Sequence, residues 1–143
     1  DNSRALEAAR STADSIELTD RFKTIEGDPR TVTLSENTFD LVIVAQLLSA
    51  YDDKEARTVL SKAVSALKPG GRLAVPDHYS GPGRAGFAET LSRLSIRLGT
   101  PSGRVRDLRE FQQMLLDAGL ESIQFTYLAA SQTGLGMVVA DKP

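Results

Sequence analysis

The sequence contains no cysteine and a single histidine, His78. Without cysteine the chain has no disulfide, no thiolate metal ligand and no cysteine nucleophile. One histidine excludes a multi-histidine metal site within one chain. We therefore predict no metal site.

Excess charge of one sign and long hydrophobic runs are also missing. The 17 Lys and Arg residues against 19 Asp and Glu residues give a net charge of -2. This balance excludes a strongly basic nucleic-acid-binding domain, so we expect no nucleic-acid partner. No apolar run approaches the roughly 20 residues of a membrane span. We expect no signal peptide and no membrane partner, and therefore a cytoplasmic protein.

Two short apolar segments predict the core of a parallel sheet. Residues Phe39–Ala45 and Arg72–Pro76 are rich in branched side chains, and such runs are typical of strands buried on both faces. Between them, apolar residues recur at helical spacing over Asp53–Leu67, and the Lys-Pro-Gly-Gly sequence of Lys68–Gly71 ends that helix. The order predicts a βαβ unit with a right-handed crossover, in which Phe39–Ala45 is the longest buried strand.

The flanking segments extend this pattern within the single domain that 143 residues allow. Helical composition and stop signals predict three further helices, and short apolar or alternating runs predict three further strands. The predicted helices are Ser3–Ala13, Phe87–Leu98 and Asp107–Ala118, and the predicted strands are Phe22–Glu26, Glu121–Leu128 and Gly136–Ala140.

One glycine motif raises an alternative function. Residues Gly81–Gly86 match G-x-G-x-x-G and precede a helix, which is the pattern of a dinucleotide site and would indicate an oxidoreductase. A true fingerprint follows its strand directly, whereas here Asp77–Ser80 intervene. The context therefore favours a flexible loop.

Two charged features have both a functional and a structural interpretation. Six arginines between Arg84 and Arg109 could meet a phosphate or an anionic substrate, or form a solvated helix face. Asp28 follows Gly27 at the end of a predicted strand, where α/β proteins bind ligands. The same Gly-Asp-Pro sequence is also typical of a simple turn.

The order of these segments resembles the later two-thirds of a class I S-adenosylmethionine-dependent methyltransferase domain. Residues Asp1–Arg10 are similar to the segment that begins at the acidic end of the family's second strand. Arg21–Asp28 are similar to its third strand, and Phe39–Gln46 to its fourth. The Lys-Pro-Gly-Gly turn within Leu67–Leu73 is the most specific match. Leu47–Asp53 resemble small-molecule O-methyltransferases of the plant and bacterial type.

The resemblance implies an α/β fold: a Rossmann-like methyltransferase sheet with helices on both faces and an antiparallel C-terminal strand pair. Residues 1–143 would be the C-terminal two-thirds of one methyltransferase domain, because the family's first two strands and glycine-rich loop are missing. In the family those strands lie between the third and fourth strands. We therefore expect a missing N-terminal segment or a second chain, as in a homodimer, to lie against Phe22–Glu26 and Phe39–Ala45. We expect the chain alone to bind the cofactor weakly or not at all.

The resemblance also implies S-adenosylmethionine as the cofactor and assigns residues to it. Asp1 would accept hydrogen bonds from the ribose hydroxyls, and Asp28 from the adenine amino group. Pro29 would pack near the adenine ring. Ala45 and Gln46, at the end of the fourth strand, would lie beside the cofactor and the reacting methyl group.

Methyl transfer to a small-molecule acceptor, at a hydroxyl, is the implied reaction. Ser49, Tyr51 and Tyr79 are the implied substrate residues. The O-methyltransferase pattern carries a histidine base where this chain has Ser49, and a serine hydroxyl is a poor base. His78 is the remaining candidate for a general base, or else an ordinary loop residue. The alternative to an enzyme is a non-catalytic methyltransferase-like subunit or fragment.

Overall fold

The computed structural model describes residues 3–81, 86–127 and 135–143. The chain divides into two compact units, residues 1–33 and residues 34–143. In the first unit, helix α1 covers Ser3–Ser15, close to the prediction, and a short 3-10 helix covers Thr19–Arg21. Arg10 Nε donates a hydrogen bond to Thr24 Oγ1 at 2.7 Å and links the helix to the segment that follows.

The predicted strand at Phe22–Glu26 is wrong. These residues have no regular secondary structure, and Phe22 and Ile25 are exposed. A strand exists only where a neighbouring strand completes its hydrogen-bond ladder, and none of the described strands pairs with this segment. The strand-like composition of this segment was therefore not sufficient to predict a strand.

Residues 34–143 form a mixed five-stranded sheet. Strands β1 (Phe39–Ile43) and β2 (Leu67–Ser80) are parallel, and helix α2 (Asp53–Ala66) connects them, so the predicted βαβ unit is confirmed. Strands β4 (Glu121–Tyr127) and β5 (Leu135–Asp141) form an antiparallel pair, with β5 also antiparallel to β2. The order β1-β2-β5-β4, with helices joining parallel strands, confirms the predicted fold class.

Three further elements complete the second unit. Helix α3 is Phe87–Gly99, the two-residue strand β3 is Arg106–Asp107, and helix α4 is Leu108–Asp117. Strand β3 pairs in parallel with the end of β2 through Tyr79 and Ser80. Among the described residues, no helix is long and apolar enough to cross a membrane.

Local sequence signals set the ends of α2. The Asp52 side chain accepts from the Glu55 N–H, and the Glu55 side chain accepts from the Asp52 N–H, which is a complete capping box. The turn predicted at Lys68–Gly71 lies inside the long strand β2 as a bulge, because Phe39 pairs with Leu67 but Leu41 pairs with Arg72. Gly70, inside the bulge, has a positive φ of 75° that favours glycine.

Strand β1 differs from the prediction in length and in burial. It has five residues, whereas β2 has 14 and is the longest strand. Val44, which follows β1, is buried and Val42 is half-buried, as the parallel sheet requires, but Leu41 and Ile43 are 51% and 60% exposed. Helix α2 packs against the opposite face of the strand, that of Val42 and Val44.

The hydrophobic core lies between that face of the sheet and helices α2 and α4. Its most completely buried side chains come from the long strand, from the two helices and from the loop before α2. They are Leu48, Leu60, Leu67, Leu73, Val75, Phe111, Met114 and Leu115.

Candidate cofactor and acceptor site

Asp28 is held as a charged hydrogen-bond acceptor. The Arg30 backbone N–H donates to Asp28 Oδ1 at 2.8 Å, and Arg30 Nη2 donates to Oδ2 at 2.6 Å. These bonds from Arg30 lower the pKa of Asp28 to about 2. Asp28 and the adjacent Pro29 are only half-buried, so the carboxylate is partly open to solvent. Asp1, the predicted ribose ligand, lies outside the described residues.

The carboxyl end of β1 presents an exposed pair of residues, Ala45 and Gln46. Pairing with β2 continues past the strand, because the Val44 N–H donates to Ala74 O at 2.9 Å and the Gln46 N–H to Pro76 O at 2.8 Å. Gln46 has a φ of +46°, a left-handed conformation that side chains other than glycine rarely adopt. Such local strain clusters at ligand-binding edges.

Beyond that edge, Ser49 lies in a short 3-10 helix, Leu48–Ala50, above the end of β2. The Ser49 N–H donates to Asp77 Oδ2 at 3.1 Å, and the His78 N–H donates to Asp77 Oδ1 at 2.8 Å. Asp77 is only 2% exposed. Both oxygens of a buried carboxylate therefore bind backbone amides, and one of these bonds anchors the segment that carries Ser49.

His78 follows Asp77 directly on strand β2. Its strand pairing is regular, with Asp77 opposite Gly136 and His78 opposite Leu135. Successive side chains of a strand point to opposite faces, so the His78 imidazole lies on the face opposite Asp77. The backbone does not turn at this point, so the two side chains stay on opposite faces of the strand. A base role for His78 stays a prediction.

The structure places Tyr79 in the hydrophobic core. Its ring is 3% exposed and packs against Phe111 and Phe125 at centroid distances of 5.2 and 5.9 Å. Its hydroxyl donates to Val75 O at 2.9 Å. Burial, with a further contribution from Asp77, raises the pKa of Tyr79 far above its usual value. Tyr51, the other predicted substrate tyrosine, is only half-buried.

The basic stretch is partly internal, which the sequence did not show. Arg106 is 3% exposed, whereas either earlier interpretation requires an accessible guanidinium. Arg104 donates to Asp53 Oδ2 at 2.7 Å and also pairs with Glu110. Arg104 is the main cause, followed by Arg106, of a lowered pKa of Asp53. These two arginines therefore bind the chain's own carboxylates, and the solvated-face interpretation is wrong for Arg106.

A small, partly open cavity of about 10 Å³ lies between the segment of Ser49 and the core. A water molecule needs about 10–15 Å³ by this measure, so a small-molecule acceptor cannot enter it. Its walls include Ser49, Asp77, Arg106 and Phe111. Ser49 itself is only 6% exposed, and Ala45 and Gln46 are exposed. A larger cavity of about 450 Å³ is lined by Arg93, Leu94, Arg97, Arg104 and Val105. Most of the Gly81–Gly86 motif, residues 82–85, lies outside the described residues.

Comparison with known proteins defines the class. A model of the O-methyltransferase domain family matches residues 1–121. The chain therefore belongs to the O-methyltransferase domain family.

Curated relatives agree with this assignment in part of their length. Aclacinomycin 10-hydroxylase RdmB of Streptomyces purpurascens is 38% identical over 109 residues, which are 72% of this chain and 27% of that protein. Acetylserotonin O-methyltransferase of Gallus gallus is 31% identical over 86 residues, 59% of this chain and 25% of that protein. The matched part of this chain thus spans about a quarter of these relatives.

Solved structures of methyltransferases share the fold. The S-adenosylmethionine-dependent methyltransferase SibL superposes with a TM-score of 0.79 at 26% identity, over 99% of this chain and 42% of that one. Human N-acetylserotonin methyltransferase, solved with S-adenosylmethionine, has a TM-score of 0.70 at 23% identity, over 89% of this chain and 37% of that one. S-adenosylmethionine is therefore the cofactor of the class to which this chain belongs.

Proposed function

We propose that the protein transfers a methyl group from S-adenosylmethionine to a hydroxyl of a small molecule. The observation that carries the proposal is the family match over residues 1–121, on a sheet that contains the predicted βαβ unit and antiparallel C-terminal strand pair. We further propose that residues 1–143 are the C-terminal two-thirds of one methyltransferase domain. The shares of SibL and of the human enzyme that this chain covers, 42% and 37%, support that interpretation.

The described residues fit the proposed cofactor. Asp28 carries a half-exposed carboxylate that stays ionised at neutral pH, and such a group accepts hydrogen bonds from an amino group. Pro29 is half-buried beside it and offers an apolar surface for a ring. Ala45 and Gln46 are exposed at the carboxyl end of a parallel strand, where α/β proteins bind ligands. A bound sulfonium would supply the electrophilic methyl group, and the protein would supply alignment.

The acceptor would lie on the outer side of the segment that contains Ser49 and Tyr51. Asp77 accepts a hydrogen bond from the Ser49 N–H and so fixes the backbone of this segment relative to β2. His78 lines the same small cavity as Ser49 and Asp77, and its role as a base stays a prediction. An acceptor whose hydroxyl is already acidic, such as a phenol, needs little help from a base and fits this arrangement best. Tyr79 would not contact the acceptor and would contribute only to the packing of the core.

Two outcomes would redirect the assignment. RdmB is named a hydroxylase rather than a methyltransferase, so a product that gains an oxygen atom is one of them. A protein that binds S-adenosylmethionine without turnover, or that does not bind it, would be a non-catalytic member of the family. A cytoplasmic location and a homodimer stay predictions alongside the main proposal.

The test is methyl transfer by the full encoded protein with labelled S-adenosylmethionine and two probe acceptors, N-acetylserotonin and a simple phenol. Mass spectrometry of the products separates methylation from hydroxylation. Calorimetry with S-adenosylhomocysteine measures cofactor-site binding, with Asp28→Asn as the test variant and Asp20→Asn, an exposed carboxylate of the same unit, as the matched control. Weaker binding in the first variant alone supports Asp28; equal binding removes Asp28 from the site.

A further inference from the structure

Arg106 makes three hydrogen bonds to one short segment of the chain. Its Nη1 donates to Leu48 O at 2.7 Å, its Nη2 to Tyr51 O at 2.9 Å, and its Nε to Asp53 Oδ1 at 3.1 Å. The guanidinium is planar and holds its donors in a fixed fork, so these three acceptors are fixed relative to one another. Residues 48–53 therefore take their shape from a side chain more than 50 positions away in the sequence.

The same segment is also held at a second point. Between the two carbonyls that Arg106 binds lies the Ser49 N–H, which donates to the buried carboxylate of Asp77 at 3.1 Å. Gly103 approaches the segment as well, because a Cβ atom at that position would lie 2.5 Å from Ser49 O. The Arg106 guanidinium thus binds two carbonyl groups of this segment, and the Asp77 carboxylate binds an amide group between them. The turn is therefore restrained through both its acceptors and its donor.

We propose that Arg106 is a positioning residue, which acts by fixing the backbone of residues 48–51 where the acceptor binds. The inference rests on the proposed function, since it assigns Arg106 a role in aligning the acceptor on that segment. A displacement of about 1 Å at a reacting centre can cost about a hundredfold in rate. The role needs no contact between Arg106 and the acceptor, and the burial of Arg106 allows none.

Arg104 provides a matched control. It also donates to Asp53, at 2.7 Å, but its other partner is Glu110 and it binds neither Leu48 O nor Tyr51 O. Arg104→Met thus removes a cation beside Asp53 and leaves the two carbonyl bonds in place. Arg106→Lys keeps the positive charge but loses the planar set of guanidinium donors. Arg106→Gln loses the positive charge.

The experiment uses the full encoded protein and two measurements. Steady-state methylation of the better of the two probe acceptors gives kcat and KM for acceptor and cofactor separately. Hydrogen exchange of residues 47–53 reports the turn directly, because the Ala50 and Tyr51 N–H groups donate to Leu47 O and Leu48 O within it. We expect Arg106→Lys to lower kcat/KM for the acceptor at least about tenfold, with the cofactor KM changed less than about twofold. We expect faster exchange in residues 47–53, and Arg104→Met close to the parent protein in both measurements.

Each contrary result has a defined meaning. A folded Arg106→Lys protein with unchanged exchange and turnover overturns the proposal. An equal loss in Arg104→Met also overturns it, since the effect would then come from charge near Asp53. If neither Arg106→Lys nor Arg106→Gln folds, Arg106 serves stability alone and the proposal is wrong. If the parent protein makes no methylated product, the proposed function fails, and hydrogen exchange then decides the positioning role by itself.

Discussion

The carboxylate of Asp77 accepts a hydrogen bond from the Ser49 N–H at 3.1 Å, although the two residues are 28 positions apart in the chain. Asp77 lies near the end of β2, and Ser49 lies in the turn that follows β1. The bond therefore ties the turn that follows β1 to β2 near the carboxyl end of that strand. In α/β proteins this edge is where ligands bind.

Replacement of Asp77 tests this tie. Asp77→Ala leaves the N–H groups of Ser49 and His78 without their acceptor in a buried site. We expect a loss of about 1–3 kcal/mol in the free energy of unfolding, measured by urea denaturation. Asp40→Ala, at a carboxylate that is 85% exposed, is the control and should leave the urea midpoint nearly unchanged. Equal midpoints for the two variants would show that the buried bonds contribute nothing.

Gly103 tests the close contact on the other side of the same turn. A Cβ atom there would lie 2.5 Å from Ser49 O and 2.3 Å from Thr100 Oγ1. We expect Gly103→Ala to destabilise the protein by roughly 1–3 kcal/mol, because the backbone must shift to relieve the overlap. Gly99→Ala is the matched control, since no atom lies within 4 Å of its added Cβ. A Gly103→Ala protein as stable as Gly99→Ala would contradict the packing described here.

Asp53 makes stability depend on pH in a defined direction. Hydrogen bonding to Arg104, together with Arg106, lowers the pKa of Asp53 in the folded protein. An Asp side chain has a pKa of about 3.9 in the unfolded chain. Because its pKa is lower in the folded protein, Asp53 stabilises the fold at pH values above about 3.9, and this contribution is lost as the pH falls through the folded-state pKa. We expect Asp53→Asn to reduce stability at neutral pH and to lose less than the parent on acidification. Parallel stability curves for the two proteins, measured against pH, would rule out this linkage.

Tyr79 tests the distinction between a core residue and an acceptor ligand. Tyr79→Phe removes the hydroxyl that donates to Val75 O at 2.9 Å, so we expect a cost of about 0.5–1.5 kcal/mol in stability. Because the ring is buried between Phe111 and Phe125, kcat/KM for the acceptor should stay within about twofold of the parent value. Tyr51→Phe serves as the comparison at the half-buried position. A selective loss of turnover in Tyr79→Phe would return this tyrosine to the acceptor site.

Features set by neighbouring residues could be predicted from the sequence. The Asp52–Glu55 capping box and the helical spacing define α2 within one residue of the prediction. Two short runs of typical strand residues predicted β4 and β5, whereas their antiparallel pairing was implied by the family resemblance. These signals are local, so a window of a few residues contains the interactions that matter.

Features that depend on distant partners could not be predicted. Residues Phe22–Glu26 have strand composition, but none of the described strands pairs with them. Ile43 has the composition of a core residue and is 60% exposed, because burial depends on what packs above the strand. Arg106 belongs to a run of arginines that suggested a solvated surface, and only its three distant acceptors place it in the interior. The family resemblance supplied the cofactor, which no local pattern of this chain defines.

The most direct test of the account is the fate of the methyl group. The full encoded protein is incubated with S-adenosylmethionine that carries an isotope label on its methyl group, together with N-acetylserotonin or a simple phenol. The account predicts S-adenosylhomocysteine and a product that carries the labelled methyl group on oxygen, in equal amounts. An unlabelled product that has gained an oxygen atom, or S-adenosylmethionine that is bound or ignored without being consumed, would contradict it.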